Sequence, residues 1–111
     1  MKKLFKNYNF EFDKNEIKLI SSFSKQVLKQ LNGNDQYFSE IRAFNSILEK
    51  VQNGAESVKL TKDEYTRLKN QLRENVKHIN KEMTKVWFFK KWIYKSLLIQ
   101  YSSLLEKHFS E

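Results

Sequence analysis

Two stretches decide how this chain folds: Phe10-Glu11-Phe12-Asp13-Lys14-Asn15-Glu16-Ile17 and Val58-Lys59-Leu60-Thr61-Lys62-Asp63-Glu64-Tyr65. Each reads apolar, charged, apolar, capping residue, Lys, Asn or Asp, Glu, apolar. Ile20 and Leu68 then follow at the same distance. The three-residue alternation gives a short strand with one buried face. Asp13 and Thr61 are N-cap residues, able to accept from first-turn N–H groups, and Glu16 and Glu64 three residues later complete a capping box. These stretches predict short strands near Asn9–Phe12 and Ser57–Leu60, each running into a helix.

The halves match a second time further on. Phe44-Asn45-Ser46-Ile47-Leu48-Glu49-Lys50 resembles Tyr101-Ser102-Ser103-Leu104-Leu105-Glu106-Lys107. Two matches in one order argue for duplication over chance likeness between Lys- and Glu-rich helices. The units run from 8 to 54 and from 56 to 110, with an insertion between the helices of the second. They are expected to relate by a pseudo-two-fold axis, with Phe12 and Leu60 equivalent and buried.

Apolar spacings of three and four set the helices. The first spans about Lys14 to Leu31, with Ile17, Ile20, Phe23, Val27, Leu28 and Leu31 on one face, and stops at Asn32-Gly33. The second spans about Asp35 to Gln52, with Tyr37, Ile41, Phe44, Ile47, Leu48 and Val51, and stops at Asn53-Gly54. Gly33 supplies the left-handed C-cap of the first. The third follows Thr61 and carries Tyr65, Leu68, Leu72, Val76, Ile79 and Met83. The fourth covers about Phe88 to Phe109. Between Glu82 and Phe88 there is neither Gly nor Pro; the repeat nonetheless argues for a break there. The expected architecture is one mainly α domain over residues 1–111: four antiparallel helices about one core, plus a two-stranded β pairing.

Bulk composition agrees and excludes much. The chain has 111 residues, 31% charged and 40% hydrophobic, a globular balance. There is no proline and there are only two glycines, too few for the turns of a β-sandwich or barrel. Without cysteine there is no disulfide, thiolate chemistry or Cys-ligated metal. Two isolated glycines cannot build a phosphate-cradling loop. Met1–Asn7 is basic but no apolar run follows, so it does not read as a secretory signal. The most apolar stretch, Val86–Leu105, holds Lys90, Lys91 and Lys95, too many charges for a membrane span. Cytoplasmic residence is expected, and the richness in Lys, Asn, Ile, Phe and Tyr suits an AT-rich bacterial or phage genome.

The functional candidates lie on the third and fourth helices. The fourth has two apolar faces where a surface helix needs one. Trp87, Ile93, Tyr94, Leu97, Leu98, Tyr101, Leu104 and Leu105 form a core face. Phe88, Trp92 and Ile99 form a second, bordered by Lys91 and Lys95, with Phe89 between the two. Phe88, Trp92, Lys95 and Ile99 are therefore the candidate contacts to another protein or to a second copy; the alternative is that the helix is buried on both sides. Phe38 is a smaller off-face aromatic of the same kind.

Formal net charge is +8, which favours acidic partners. Lys62, Lys69, Arg73 and Lys77 line one side of the third helix and could track phosphates, or could be an ordinary solvated face. No helix-turn-helix, zinc finger or RNA-binding aromatic motif accompanies them. Glu74, His78 and Glu82 share a face at metal-ligand spacing, but no second motif completes a site, so a solvated face is the simpler reading. His108 has no evident partner. No metal or cofactor and no catalytic cluster is expected. The reading is thus a non-enzymatic interaction protein of the inhibitor, adaptor or antitoxin and immunity kind, with a basic nucleic-acid-binding accessory protein as its rival.

Overall fold

The computed structural model describes residues 8–54 and 57–110, and for Phe89 the backbone alone. The Met1–Asn7 segment lies outside the described residues. Two three-residue strands and four helices follow in the order β1 (Tyr8–Phe10), α1 (Lys14–Leu31), α2 (Phe38–Gln52), β2 (Val58–Leu60), α3 (Lys62–Met83) and α4 (Phe88–His108). A single 3-10 turn, Asp35–Tyr37, precedes α2. The described chain is mainly helical, as its periodicity predicts. It divides into two compact units, Met1–Leu68 and Lys69–Glu111, with the boundary inside α3.

Both capping boxes form. At α1, the Asp13 N–H donates to Glu16 Oε1 at 2.9 Å and the Glu16 N–H to Asp13 Oδ1 at 2.8 Å. At α3, the Thr61 N–H donates to Glu64 Oε1 at 2.9 Å and the Glu64 N–H to Thr61 Oγ1 at 3.1 Å. Each box satisfies N–H groups that a helix start otherwise leaves orphaned. At the other ends, Gly33 and Gly54 both hold φ near 81°, a conformation a side chain would strain. The residues before α2 tighten into a 3-10 turn, with the Asn34 side chain accepting from the Gln36 N–H at 3.1 Å. The helix expected from Asp35 therefore starts three residues later, at Phe38.

In the first unit, β1 and β2 pair antiparallel, joining Tyr8 to Leu60, Asn9 to Lys59 and Phe10 to Val58. The first strand sits earlier than the expected Asn9–Phe12. Leu60 is the last residue before the α3 cap, and it takes Tyr8 rather than a later residue as its partner. The alternation itself runs from Tyr8 to Phe12: Tyr8, Phe10 and Phe12 are buried while Asn9 and Glu11 are exposed. Tyr8 stacks on Tyr65 with ring centroids 4.1 Å apart, and Phe10 stacks on Phe12 at 5.1 Å. Below this aromatic layer α1 packs on α2, where Phe23 meets Phe44 edge-on at 6.4 Å. Ile20, Phe44, Ile47, Leu60 and Leu68 are fully buried.

A buried ionic knot ties α2 to the start of α3. Glu64 is only 6% exposed. Besides its own cap, its carboxylate accepts from Ser46 Oγ at 2.5 Å and from Lys50 Nζ at 2.6 Å. Burial pushes the Glu64 carboxyl upward. The hydrogen bonds from Lys50, Ser46 and the Thr61 backbone, with the Lys50 charge, outweigh this and hold it below the ordinary 4.5. Nearby, Arg67 bridges the helices, donating to Glu40 at 2.6 Å and to both Asp63 oxygens at 3.0 and 3.1 Å. The hydrogen bonds to Glu40 and Asp63 raise its pKa further.

In the second unit, Leu72, Ile79, Tyr101, Leu104 and Phe109 are buried. Burial raises the Tyr101 hydroxyl pKa, and a hydrogen bond with Asn75 offsets part of this. That bond links the two helices of the unit. Between them the chain breaks without Gly or Pro. The Lys85 N–H closes on the Glu82 carbonyl at 3.0 Å, and Thr84 Oγ1 donates to the Lys81 carbonyl at 2.8 Å. Trp87 then turns extended, at φ −65° and ψ 154°, before α4 begins.

Two predictions follow from these contacts. Leu60→Ala and Phe12→Ala each open a cavity under the ribbon and should lower unfolding free energy in urea by about 2–5 kcal/mol. Glu64→Gln should cost about 1–3 kcal/mol at neutral pH, as hydrogen bonds to a charged group are lost. A lowered native pKa stabilises the fold above the unfolded value and loses that contribution as pH falls through the native one. The wild-type protein should therefore lose stability on acidification below about pH 4.5, the ordinary Glu value, more steeply than Glu64→Gln does.

Candidate functional site

α4 lacks a capping side chain at Trp87, and apolar residues surround much of its circumference. One side is packed: Tyr101 and Leu104 are buried, and Tyr94, Leu97, Leu98 and Leu105 are half-buried. The other side carries Phe88, Trp92, Lys95 and Ile99 in a line, and all four are exposed. Their spacings of four, three and four residues keep them in register along three turns of helix. Phe88 is 81% exposed, Trp92 68% and Ile99 59%. The second apolar face read in the sequence is thus at the surface.

Two residues assigned to the packed face by sequence are not there. Trp87 is 74% exposed, because its extended backbone puts it ahead of the helix and off the helical wheel. Ile93 is exposed at the edge of the packed side. The Phe89 side chain, placed by sequence between the two faces, lies outside the described residues. Large apolar surface gathered like this on one element marks contact sites more often than scattered single residues do. Ser96, Ser102 and Ser103 flank the line and are exposed. From Glu82 to Glu106 the sequence has four lysines, Lys85, Lys90, Lys91 and Lys95, and no intervening Asp or Glu.

The basic residues of α3 fall on both sides of the unit boundary. In the first unit Lys62 is exposed; in the second, Arg73 and Lys77 are exposed and Lys69 is half-buried. Lys77 pairs with Glu74 at 3.4 Å, which spends part of its charge within the helix. Glu82 pairs with Lys85 at 3.7 Å. Glu74 and His78 are exposed, and among the described residues no three His, Asp or Glu side chains gather as a metal site.

Packing in the first unit also creates a shallow groove of about 370 Å³ that sequence reasoning did not anticipate. It lies between the first turns of α2 and α3, lined by Phe38, Ser39, Arg42, Thr61, Glu64 and Arg67 among others. Glu64 and Arg67 are engaged in the ionic contacts described above, leaving exposed Phe38 and Arg42 at its rim. No sequence signal marks it, because its walls are brought together from positions some twenty residues apart.

A residue exposed to this degree carries little of the fold. Trp92→Ala and Ile99→Ala should each leave urea unfolding within about 0.5 kcal/mol of wild type. A loss of several kcal/mol would place Trp92 inside the protein.

No family model matches this chain, and searches of curated proteins and of solved structures find no match either.

Proposed function

We propose that this is a non-enzymatic, cytoplasmic protein-interaction factor, of the inhibitor, adaptor or antitoxin and immunity kind, that binds another protein or a second copy through α4. The observation that carries this reading is the exposed line of Phe88, Trp92 and Ile99 opposite the packed side of the same helix. Tryptophan and large apolar side chains that water cannot solvate well are the usual anchors of protein interfaces. Among the described residues no helix is long and apolar enough to cross a membrane.

We further infer that the chain is a duplication of one strand–helix–helix unit, residues 8–54 and 56–110, built into an antiparallel four-helix bundle. The strand register supports it: Phe10, which aligns with Val58 in the sequence, is also its pairing partner. A two-fold axis relating the two units would pass through such a pair. Burial supports it as well, since Ile20 and Leu68, Phe44 and Tyr101, and Ile47 and Leu104 are buried at matching positions.

The test is recovery from host lysate on the tagged chain, with and without nuclease, beside sedimentation of the pure protein. The expected result is a stoichiometric protein partner, or a dimer, that survives nuclease. Trp92→Ala should weaken it by about 2 kcal/mol or more, roughly thirtyfold in affinity. Salt-sensitive recovery of nucleic acid, abolished by replacing Arg73 and Lys77 and indifferent to Trp92, would instead assign function to α3.

A further inference from the structure

We infer that the occupant of the α4 face is an acidic amphipathic helix of another protein, with apolar side chains on Phe88, Trp92 and Ile99 and a carboxylate opposite Lys95. This rests on α4 being a protein-binding helix and adds the chemistry of the partner. Spacings of four, three and four residues are those at which one helix offers a narrow seam to a second helix lying along it. The seam here reads apolar, apolar, lysine, apolar.

Lys95 decides the partner. It is exposed, and no ion pair or hydrogen bond engages its side chain among the described residues. A helix laid over Phe88, Trp92 and Ile99 would take water from the ammonium between them. A desolvated ammonium needs an anion and hydrogen-bond acceptors. The neighbouring sequence supplies none, since no Asp or Glu lies between Glu82 and Glu106. The carboxylate must come from the partner. Lys90 and Lys91 add positive potential along the same helix and favour an acidic approach.

Two other occupants fit less well. A second copy that pairs the Phe88–Ile99 line symmetrically with itself would set the same lysines there with no carboxylate between them, a like-charge juxtaposition that proteins use to reject partners. A helix lying on an anionic bilayer presents a wide apolar face with lysines at its polar borders. Here the apolar line is narrow, interrupted by Lys95 and edged by Ser96, Ser102 and Ser103.

The experiment is selection of displayed helical peptides on the intact 111-residue protein. Leucine is fixed at three positions of a four-three-four seam, and the position meeting Lys95 is randomised. Wild type, Lys95→Glu and Trp92→Ala serve as baits, each checked for native circular dichroism. Wild type should select Asp or Glu at the random position and lose about tenfold or more in affinity when that residue is made Lys. Lys95→Glu should reverse the preference, and Trp92→Ala should weaken every peptide. Trp92-dependent binding with no charge preference, or with one that Lys95→Glu leaves unchanged, overturns the acidic partner while leaving α4 a protein-binding helix. Trp92-dependent flotation with phosphatidylserine vesicles, or a Trp92-dependent dimer on sedimentation, overturns it in favour of lipid or a second copy. Selection that yields no Trp92-dependent helix overturns the protein-binding reading itself.

Discussion

The first unit is organised around a buried carboxylate. Glu64 closes the capping box of α3 and at the same time receives Ser46 and Lys50 from α2. One side chain therefore starts a helix and fixes where that helix meets its neighbour. Burying a charge is unfavourable unless it is paired and hydrogen-bonded, and here three donors, Ser46, Lys50 and the Thr61 N–H, converge on it. Such an arrangement tolerates little displacement. A turn of slippage between α2 and α3 would strand both Glu64 and Lys50, whereas a leucine pair at the same place would accommodate it. The net gain over an apolar pair is small; what the knot contributes is discrimination among near-equivalent packings.

How much of this was legible depends on how local each signal is. The caps at Asp13 and Thr61 were readable because a capping box spans four residues and leaves its mark in them. Helix ends at Gly33 and Gly54 were readable for the same reason. The buried phase of β1 is legible in Phe10 and Phe12, but its span is not, since strand pairing is set by what Leu60 meets, some fifty residues away. Trp87 was misplaced because a helical wheel assumes helical backbone, and that residue is extended. The bonds of Glu64 to Ser46 and Lys50 left no trace, although both residues stood in a quoted segment. Sequence marks a capping glutamate but not which distant helix will cover it. The candidate face on α4 was readable as an excess of apolar residues. Which of its two sides faces water needed the structure.

The two helices of the second unit divide their labour in a way composition already hints at. α3 is long and polar, with its apolar residues confined to one narrow side, and Leu72 and Ile79 are buried there. α4 is richer in aromatics, and besides its packed side it carries Phe88, Trp92 and Ile99 on an exposed one. Nothing in α4 needs Trp92 or Ile99 for packing, so those positions are open to change without loss of the fold. A recognition surface placed there can alter its preference while the scaffold stays constant.

The two-stranded ribbon bears on how the molecule behaves when crowded. A sheet of two strands leaves both outer edges uncovered, and such edges invite further strands from other chains. Here each edge is only three residues long. Stacking into fibrils draws on segments of about six residues or more with low charge. The outward residues of the ribbon are Asn9 and Lys59, one of them charged, and each strand leads within three residues into a capped helix that cannot extend the ladder. The helices thus act as terminators: they confine β structure to a patch too short and too charged to template its own growth.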